Sequence, residues 1–173
     1  MSAHEYFIGL LSGTSMDGVD CALVDFAQSP PTLVATHTVA IPAPLRESIL
    51  TLCTDDKVSL IELGETDIAL GRLFANAVNQ LLAKCAVSNQ EILAIGSHGQ
   101  TIKHHPFGEN RFTQQIGDPN TIALLTGICT ITDFRRKDMA AGGQGAPLAP
   151  LFHQSFFADL DGRRAILNLG GIA

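Results

Sequence analysis

The chain has 173 residues, of which 46% are hydrophobic and 16% charged, with a formal charge of -6. This length suits one ordinary domain or most of one lobe of a larger protein. The acidic balance excludes nucleic acid as the main ligand, because binding a phosphate backbone needs clustered Lys and Arg. No basic segment leads into a long apolar run, and no stretch reaches about 18 consecutive apolar residues, so the sequence predicts no membrane association and a cytoplasmic location. Four cysteines, Cys21, Cys53, Cys85 and Cys129, lack Cys-x-x-Cys spacing and lie mostly in apolar runs. Buried free thiols in a reducing compartment are the expectation.

Three strands are predicted at 6–11, 20–27 and 33–41, with connections short enough for antiparallel pairing. The turn between the first two carries Ser12-Gly13-Thr14-Ser15-Met16-Asp17-Gly18-Val19-Asp20. Its glycines let backbone approach an anion, its hydroxyls add donors, and its carboxylates suit a divalent metal or its water shell. It is not a Walker A loop, which needs Gly-Lys-Ser/Thr leading into a helix. Two readings of this turn stand on local chemistry alone: a phosphate cradle, or an ordinary tight hairpin, since the same residue types dominate common turns.

Pro42 and Pro44 open a helix over 45–53. A longer helix over 65–86 places Leu70, Leu73, Phe74, Ala77, Leu81 and Cys85 on one apolar face at spacings of three and four. Ser88 and Glu91 form a capping-box pattern before a short buried strand at 92–95. That strand is expected to end in Gly96-Ser97-His98-Gly99-Gln100-Thr101, polar residues placed where a site would be. Residues 104–115 read as irregular, and Asp118-Pro119 starts a helix over 120–126 closed by Gly127. A strand at 128–132 then delivers Asp133-Phe134-Arg135-Arg136-Lys137-Asp138. Beyond Gly142-Gly143-Gln144-Gly145-Ala146-Pro147, a helix over 147–158 is predicted with Leu148, Leu151, Phe152 and Phe156 inward. A last strand at 164–169 enters Gly170-Gly171. No repeat, low-complexity tract or clear linker divides the chain, so it reads as one domain.

Five of these segments, the Ser12 to Asp20 turn, Gly96-Ser97-His98-Gly99-Gln100-Thr101, Asp133-Phe134-Arg135, Gly142-Gly143-Gln144-Gly145-Ala146-Pro147-Leu148 and Asn168-Leu169-Gly170-Gly171-Ile172-Ala173, occur in the order found in the bacterial anhydro-N-acetylmuramic acid kinases. The sequence resembles that family over nearly its whole length. The resemblance implies an α/β fold, an actin/Hsp70/sugar-kinase-like lobe, ribonuclease H-like, with a mixed sheet of three antiparallel strands followed by βαβ units. It implies residues 1–173 as the N-terminal lobe of a two-lobed, ATP-dependent sugar kinase whose second lobe is absent from this sequence. The activity implied is opening of 1,6-anhydro-N-acetylmuramic acid by water with phosphorylation to N-acetylmuramic acid 6-phosphate in murein recycling, using ATP and Mg2+. The implied partners are a small-molecule amino sugar and a second copy in a homodimer.

Carried over by position, Gly13, Thr14, Ser15, Met16, Asp17, Gly18, Val19 and Asp20 match the family's first phosphate loop, and Gly170 and Gly171 match the strand end entering its second. Asp17 is the candidate catalytic carboxylate and the candidate for Mg2+ through a water; the main base is expected beyond residue 173, in a Gly-x-Asp-Thr-Gly-Pro-Gly segment. Ser97, His98, Gln100, Asp133 and Arg135 are expected around the sugar, with Arg135 suited to a carboxylate or phosphate. Bland readings stay open beside these: a satisfied turn histidine at His98, an ion pair between Asp133 and Arg135 or Arg136, and a solvated charge run at 135–137. His104-His105 makes a weak metal pair, because neighbours in extended chain point opposite ways. The competing functions are another sugar kinase of the superfamily and a non-catalytic, actin-like module switched by nucleotide.

Overall fold

The structure, a computed structural model, describes residues 4–157, 162 and 164–167. Its backbone divides into two compact units, residues 1–104 with 114–133, and residues 105–113 with 134–173.

The first unit is built on a mixed sheet. Strands β1 (Tyr6–Ser12), β2 (Gly18–Asp25) and β3 (Thr32–Ala40) form the antiparallel meander that their short connections predict. Strand β4 (Ile92–His105) lies parallel to β1, and β5 (Phe112–Ile116) lies on the other side of β4, giving the order β3-β2-β1-β4-β5. A two-residue β6 (Thr130–Ile131) also runs parallel to β4, pairing with Ile95 and Gly96. In β1, Ile8, Leu10 and Ser12 are buried while Gly9 and Leu11 are exposed, the period-two alternation of a strand with one face in the core.

Helices α1 (Ala43–Thr54), α2 (Leu60–Cys85) and α3 (Pro119–Thr126) complete this unit. Pro44 stands in the first turn of α1, where a missing N–H costs nothing. Helix α2 begins five residues before the predicted start, because the Ser59 hydroxyl accepts from the Ile61 amide and caps it. Leu70, Phe74, Ala77 and Leu81 of the predicted face are buried, with Leu73 and Cys85 packed at its margin. They meet Ile8, Leu10, Leu23, Ile95 and Ile122 in one core, each large side chain contributing about 1.5–3 kcal/mol by leaving water. Gly71 lets α2 approach the start of α3: a β-carbon there would lie 2.8 Å from the Asp118 carbonyl oxygen. Asp118 caps α3 through the amides of Asn120 and Thr121, and Gly127 closes it at φ 70°. Ser88 and Glu91 form the predicted capping box around a short 3-10 turn (Asn89–Glu91).

Three expectations for this unit change. The polar run at 96–101 sits inside a 14-residue strand and not at its end, because β4 finds hydrogen-bonding neighbours on both edges. Residues 104–115, read as irregular, contribute the end of β4 and most of β5. Cys129 is exposed; Cys21 is buried and Cys53 and Cys85 half-buried, and all four thiols are free.

The second unit holds α4 (Arg136–Ala140), which no sequence expectation covers, and α5 (Leu148–Phe157). Helix α5 lies where predicted but has no buried residue: Leu148, Leu151, Phe152 and Phe156 are exposed, and Phe152 stacks on Phe156 with ring centres 4.5 Å apart. Residues 164–167 adopt no regular element. The remainder of the predicted last strand, with Gly170 and Gly171, lies outside the described residues.

Candidate functional site

Strands β1, β4 and β6 are parallel, so their carboxyl ends point the same way. In open α/β sheets that edge is where ligands bind. The turn after β1 and the segment after β6 therefore both leave the first unit on one side, with residues 96–100 of β4 running between them. The pairings Ser12 with Gln100 and Ile131 with Gly96 separate the two strand ends by about 13 Å along β4.

The turn at 13–17 is held at three points. The Met16 amide donates to the Gly13 carbonyl at 3.1 Å, closing a β-turn. Met16 itself adopts φ 53°, a left-handed conformation uncommon outside glycine, and its side chain is buried among the core residues. The Ile41 amide donates to the Asp17 carbonyl at 3.4 Å, tying the turn to the end of β3. Between these points Thr14, Ser15 and Asp17 are exposed, and the Thr14 and Ser15 hydroxyls bond nothing among the described residues. Gly18 packs against β3, where a β-carbon would come within 3.0 Å of the Val39 carbonyl oxygen. Val19 is fully buried, and Asp20 accepts from the Thr38 hydroxyl at 2.7 Å. Of the eight matched turn residues, the structure thus exposes Thr14, Ser15, Asp17 and Asp20, leaves Gly13 half-buried, and uses Met16, Gly18 and Val19 to fix the turn.

Residues 97–100 sit differently. Ser97 is 1% exposed, and its hydroxyl has no hydrogen-bond partner among the described residues. His98 is half-buried, its Nδ1 donating to the Gly99 carbonyl at 3.0 Å. Gln100 is wholly buried: its side chain accepts from the Ser12 hydroxyl at 2.6 Å and donates to the Thr101 carbonyl at 3.1 Å. Thr101 in turn accepts from the Gln115 side-chain amide at 3.1 Å. Gln100, expected beside the sugar, is therefore engaged beneath the turn.

Asp133 is exposed at φ 63°, two residues after the end of β6. Arg135 belongs to the second unit, where its guanidinium donates to the Gly145 carbonyl at 3.0 Å and partial burial lowers its pKa from the ordinary value. The same loop is wrapped on Asp138, whose carboxylate accepts from the Gly145 amide at 2.7 Å and whose carbonyl accepts from Gly143. Arg111 donates to the Gly142 carbonyl at 3.4 Å. The Gly142 to Gly145 segment is thus an organised loop, with Gly142 and Gly145 at φ 100° and 77°.

Residues 5–173 match the sequence profile of a family described as anhydro-N-acetylmuramic acid kinase. The chain belongs to that family. It is 59% identical over 173 residues to the anhydro-N-acetylmuramic acid kinase of Shewanella frigidimarina, covering 100% of this chain and 47% of the relative. Against the protein of the same name from Shewanella denitrificans it is 60% identical over the same share of each. With that of Shewanella baltica it shares 58% over 170 residues, 98% of this chain and 46% of the relative. The chain spans about half the length of the curated relatives it matches. Its mixed α/β architecture agrees with the sugar-kinase and actin-like fold expected of this family.

The family name of the matching profile is that of a kinase, so the residues of the turn can be tested for whether they suit a phosphate and its metal. Among the described residues no group of three or more His, Cys, Asp and Glu side chains converges to hold a metal ion, and no helix is long and apolar enough to cross a membrane. An exposed single carboxylate at Asp17 fits Mg2+, which takes one or two carboxylates and completes its shell with phosphate oxygens and water. Ser12 is not among the residues matched to the phosphate loop, yet its hydroxyl holds Gln100 beneath the turn. The period-two burial of Ile8 and Leu10 was the available signal, because it turns Ser12 inward, where a hydroxyl needs a partner.

Proposed function

We propose that this chain is the N-terminal lobe of a cytoplasmic kinase that opens 1,6-anhydro-N-acetylmuramic acid with water and phosphorylates it at O6, using ATP and Mg2+. The observation that carries this reading is the pinned turn after β1, with Thr14, Ser15 and Asp17 exposed and Gly13 half-buried at the carboxyl edge of the sheet, in a chain of this family. Glycine and hydroxyl donors suit the β- and γ-phosphates, and Asp17 suits Mg2+ through a water, the metal supplying charge neutralisation on the phosphate oxygens.

In the reaction, a water oxygen bonds to C1 as the C1–O6 bond breaks, and O6 bonds to the γ-phosphorus as the β,γ-bridging oxygen leaves with ADP. A carboxylate base takes the water proton; in this reading it lies in the second lobe. Ser97, His98, Asp133 and Arg135 are proposed to face the sugar side, and Gly170 and Gly171 the second phosphate loop. The reading includes a homodimer, checked by sedimentation over a concentration series.

The test is ADP release from the complete gene product containing residues 1–173, with the anhydro sugar, in water enriched in oxygen-18. Sugar-dependent ADP release with label at C1 of the phosphorylated product is the expected result. Nucleotide binding without sugar-dependent turnover would instead favour an actin-like switch. Asp17→Asn is expected to lower kcat at least tenfold with thermal stability unchanged. Residues 1–173 alone are expected to give no sugar-dependent turnover.

A further inference from the structure

Strands β1 and β4 pair in parallel with two irregularities, one between Tyr6 and Phe7 and the other where the turn after β1 begins. Leu10 pairs with Ser97 and Ser12 with Gln100, so β4 spends one extra residue between these pairs. Gly99 lies in that stretch, at φ 74°, and a β-carbon on it would lie 2.5 Å from the Ile116 carbonyl oxygen. This is a β-bulge, a device that re-aims the following side chain. Without the extra residue Gly99 would stand opposite Ser12 and the Gln100 side chain would fall on the other face. With it, Gln100 turns under the first residue of the turn.

The hydrogen-bond roles at this contact follow from chemistry. A carbonyl can only accept, so the Gln100 amide nitrogen faces Thr101 and its oxygen faces Ser12, whose hydroxyl must donate. The contact is deeply buried, Ser12 being 2% and Gln100 0% exposed. A broken hydrogen bond there leaves an unpaired polar group, which makes the pairing directional and stiff.

We propose that Gln100 is a positioning residue for the phosphate turn. It anchors the Ser12 hydroxyl, so that Gly13 to Ser15 are presented at a fixed height above β4, and the strand carrying Ser97 and His98 sets where the nucleotide phosphates sit. The proposal rests on the turn being the phosphate site.

The test compares Ser12→Ala, Ser12→Thr, Gln100→Met and the double variant Ser12→Ala with Gln100→Met, all in the complete gene product, with KM for ATP, KM for the sugar, kcat and melting temperature read separately. Ser12→Ala and Gln100→Met are each expected to raise KM for ATP about three- to tenfold, with KM for the sugar within about twofold. The double variant should be no worse than the poorer single one, and Ser12→Thr, which keeps the donor, should restore KM for ATP. A lower melting temperature with KM for ATP unchanged in both single variants, or fully additive effects, overturns the proposal. Ser12→Ala removes a single atom, so it reads the contact even if Gln100→Met does not fold. Asp17→Asn separates the two failures. If it alters ATP kinetics while Gln100→Met does not, only the positioning role falls; if neither alters them, the phosphate reading of the turn falls as well.

Discussion

Gly99 and Ile116 touch so closely that glycine is the one residue the position accepts: a β-carbon on Gly99 would lie 2.5 Å from the Ile116 carbonyl oxygen, and the backbone φ is 74°. Both obstacles act on the same methyl group, and the clashing atom is backbone, which cannot rotate away. Gly99→Ala is expected to destabilise the protein by about 2–4 kcal/mol. Chemical denaturation of the variant checks the figure, and a cost below about 1 kcal/mol would mean that the bulge relaxes.

Ser97 gives the opposite expectation. Its buried hydroxyl lacks a partner among the described residues, so Ser97→Ala removes a desolvated polar atom and leaves only a small void. Stability should stay the same or rise by up to about 1 kcal/mol. If Ser97 serves the sugar, KM for the sugar rises in the same variant. A stability loss above about 1 kcal/mol would show that the hydroxyl is satisfied in solution.

Asp67 and Asp118 are neighbours with opposed pH behaviour. Burial works against ionisation of Asp118, but hydrogen bonds from the Thr121 hydroxyl and amide and from Asn120 outweigh it and hold its pKa below the ordinary value. Its contribution is therefore present above the unfolded carboxylate pKa of about 3.9 and lost as pH falls through the lowered native value. Asp118→Ala should cost about 1 kcal/mol at pH 7 through the lost helix cap, and Asp118→Asn should flatten the acid limb of stability.

Burial raises the pKa of Asp67 despite the Gly117 amide, which donates to it at 2.6 Å. Its contribution is full below about pH 3.9 and declines as pH rises through the raised native value. Asp67→Asn, which keeps an acceptor for Gly117, should therefore hold or raise the melting temperature at pH 7 while Asp67→Ala lowers it. Melting curves across pH 3–7 check both sites, and identical acid limbs in wild type and Asp118→Asn would contradict the assignment.

The thiols should separate by reactivity. Burial, with Cys85 and Asp20 nearby, pushes the Cys21 pKa up to about 12, whereas Cys129 is exposed. The thiolate is the reacting form, so an alkylating reagent at pH 8 should modify Cys129 first and Cys21 only on unfolding. Mass mapping of a time course reads the order.

Where sequence and structure agree, the local pattern and the tertiary environment asked for the same thing. Leu70, Phe74, Ala77 and Leu81 recur at helical spacing and are buried, and Asp118, Pro119 and Gly127 mark the ends of α3 because capping is a short-range property. The polar residues from Gly96 to Thr101 read as a strand end because their partners were invisible: Ser12 and Gln115 are far away in the chain, and only pairing on both edges of β4 makes Gln100 a core residue. The turn after β1 was legible as a unit, but its division of labour was not. Which residues face solvent depends on Met16 in the left-handed region, a conformation that composition does not announce. Helix α5 lies where its sequence predicts, but its apolar residues, expected to face inward, are exposed in its own unit.

Helix α2 carries two glycines, and any effort to stabilise the fold by raising helix propensity would select both for replacement by alanine. Only one of them is open to it. A methyl group at Gly64 meets nothing within 4 Å, so Gly64→Ala should add about 0.5–1 kcal/mol. At Gly71 the same methyl group meets the carbonyl of the residue that caps α3, and the substitution would push apart the two helices it was meant to strengthen.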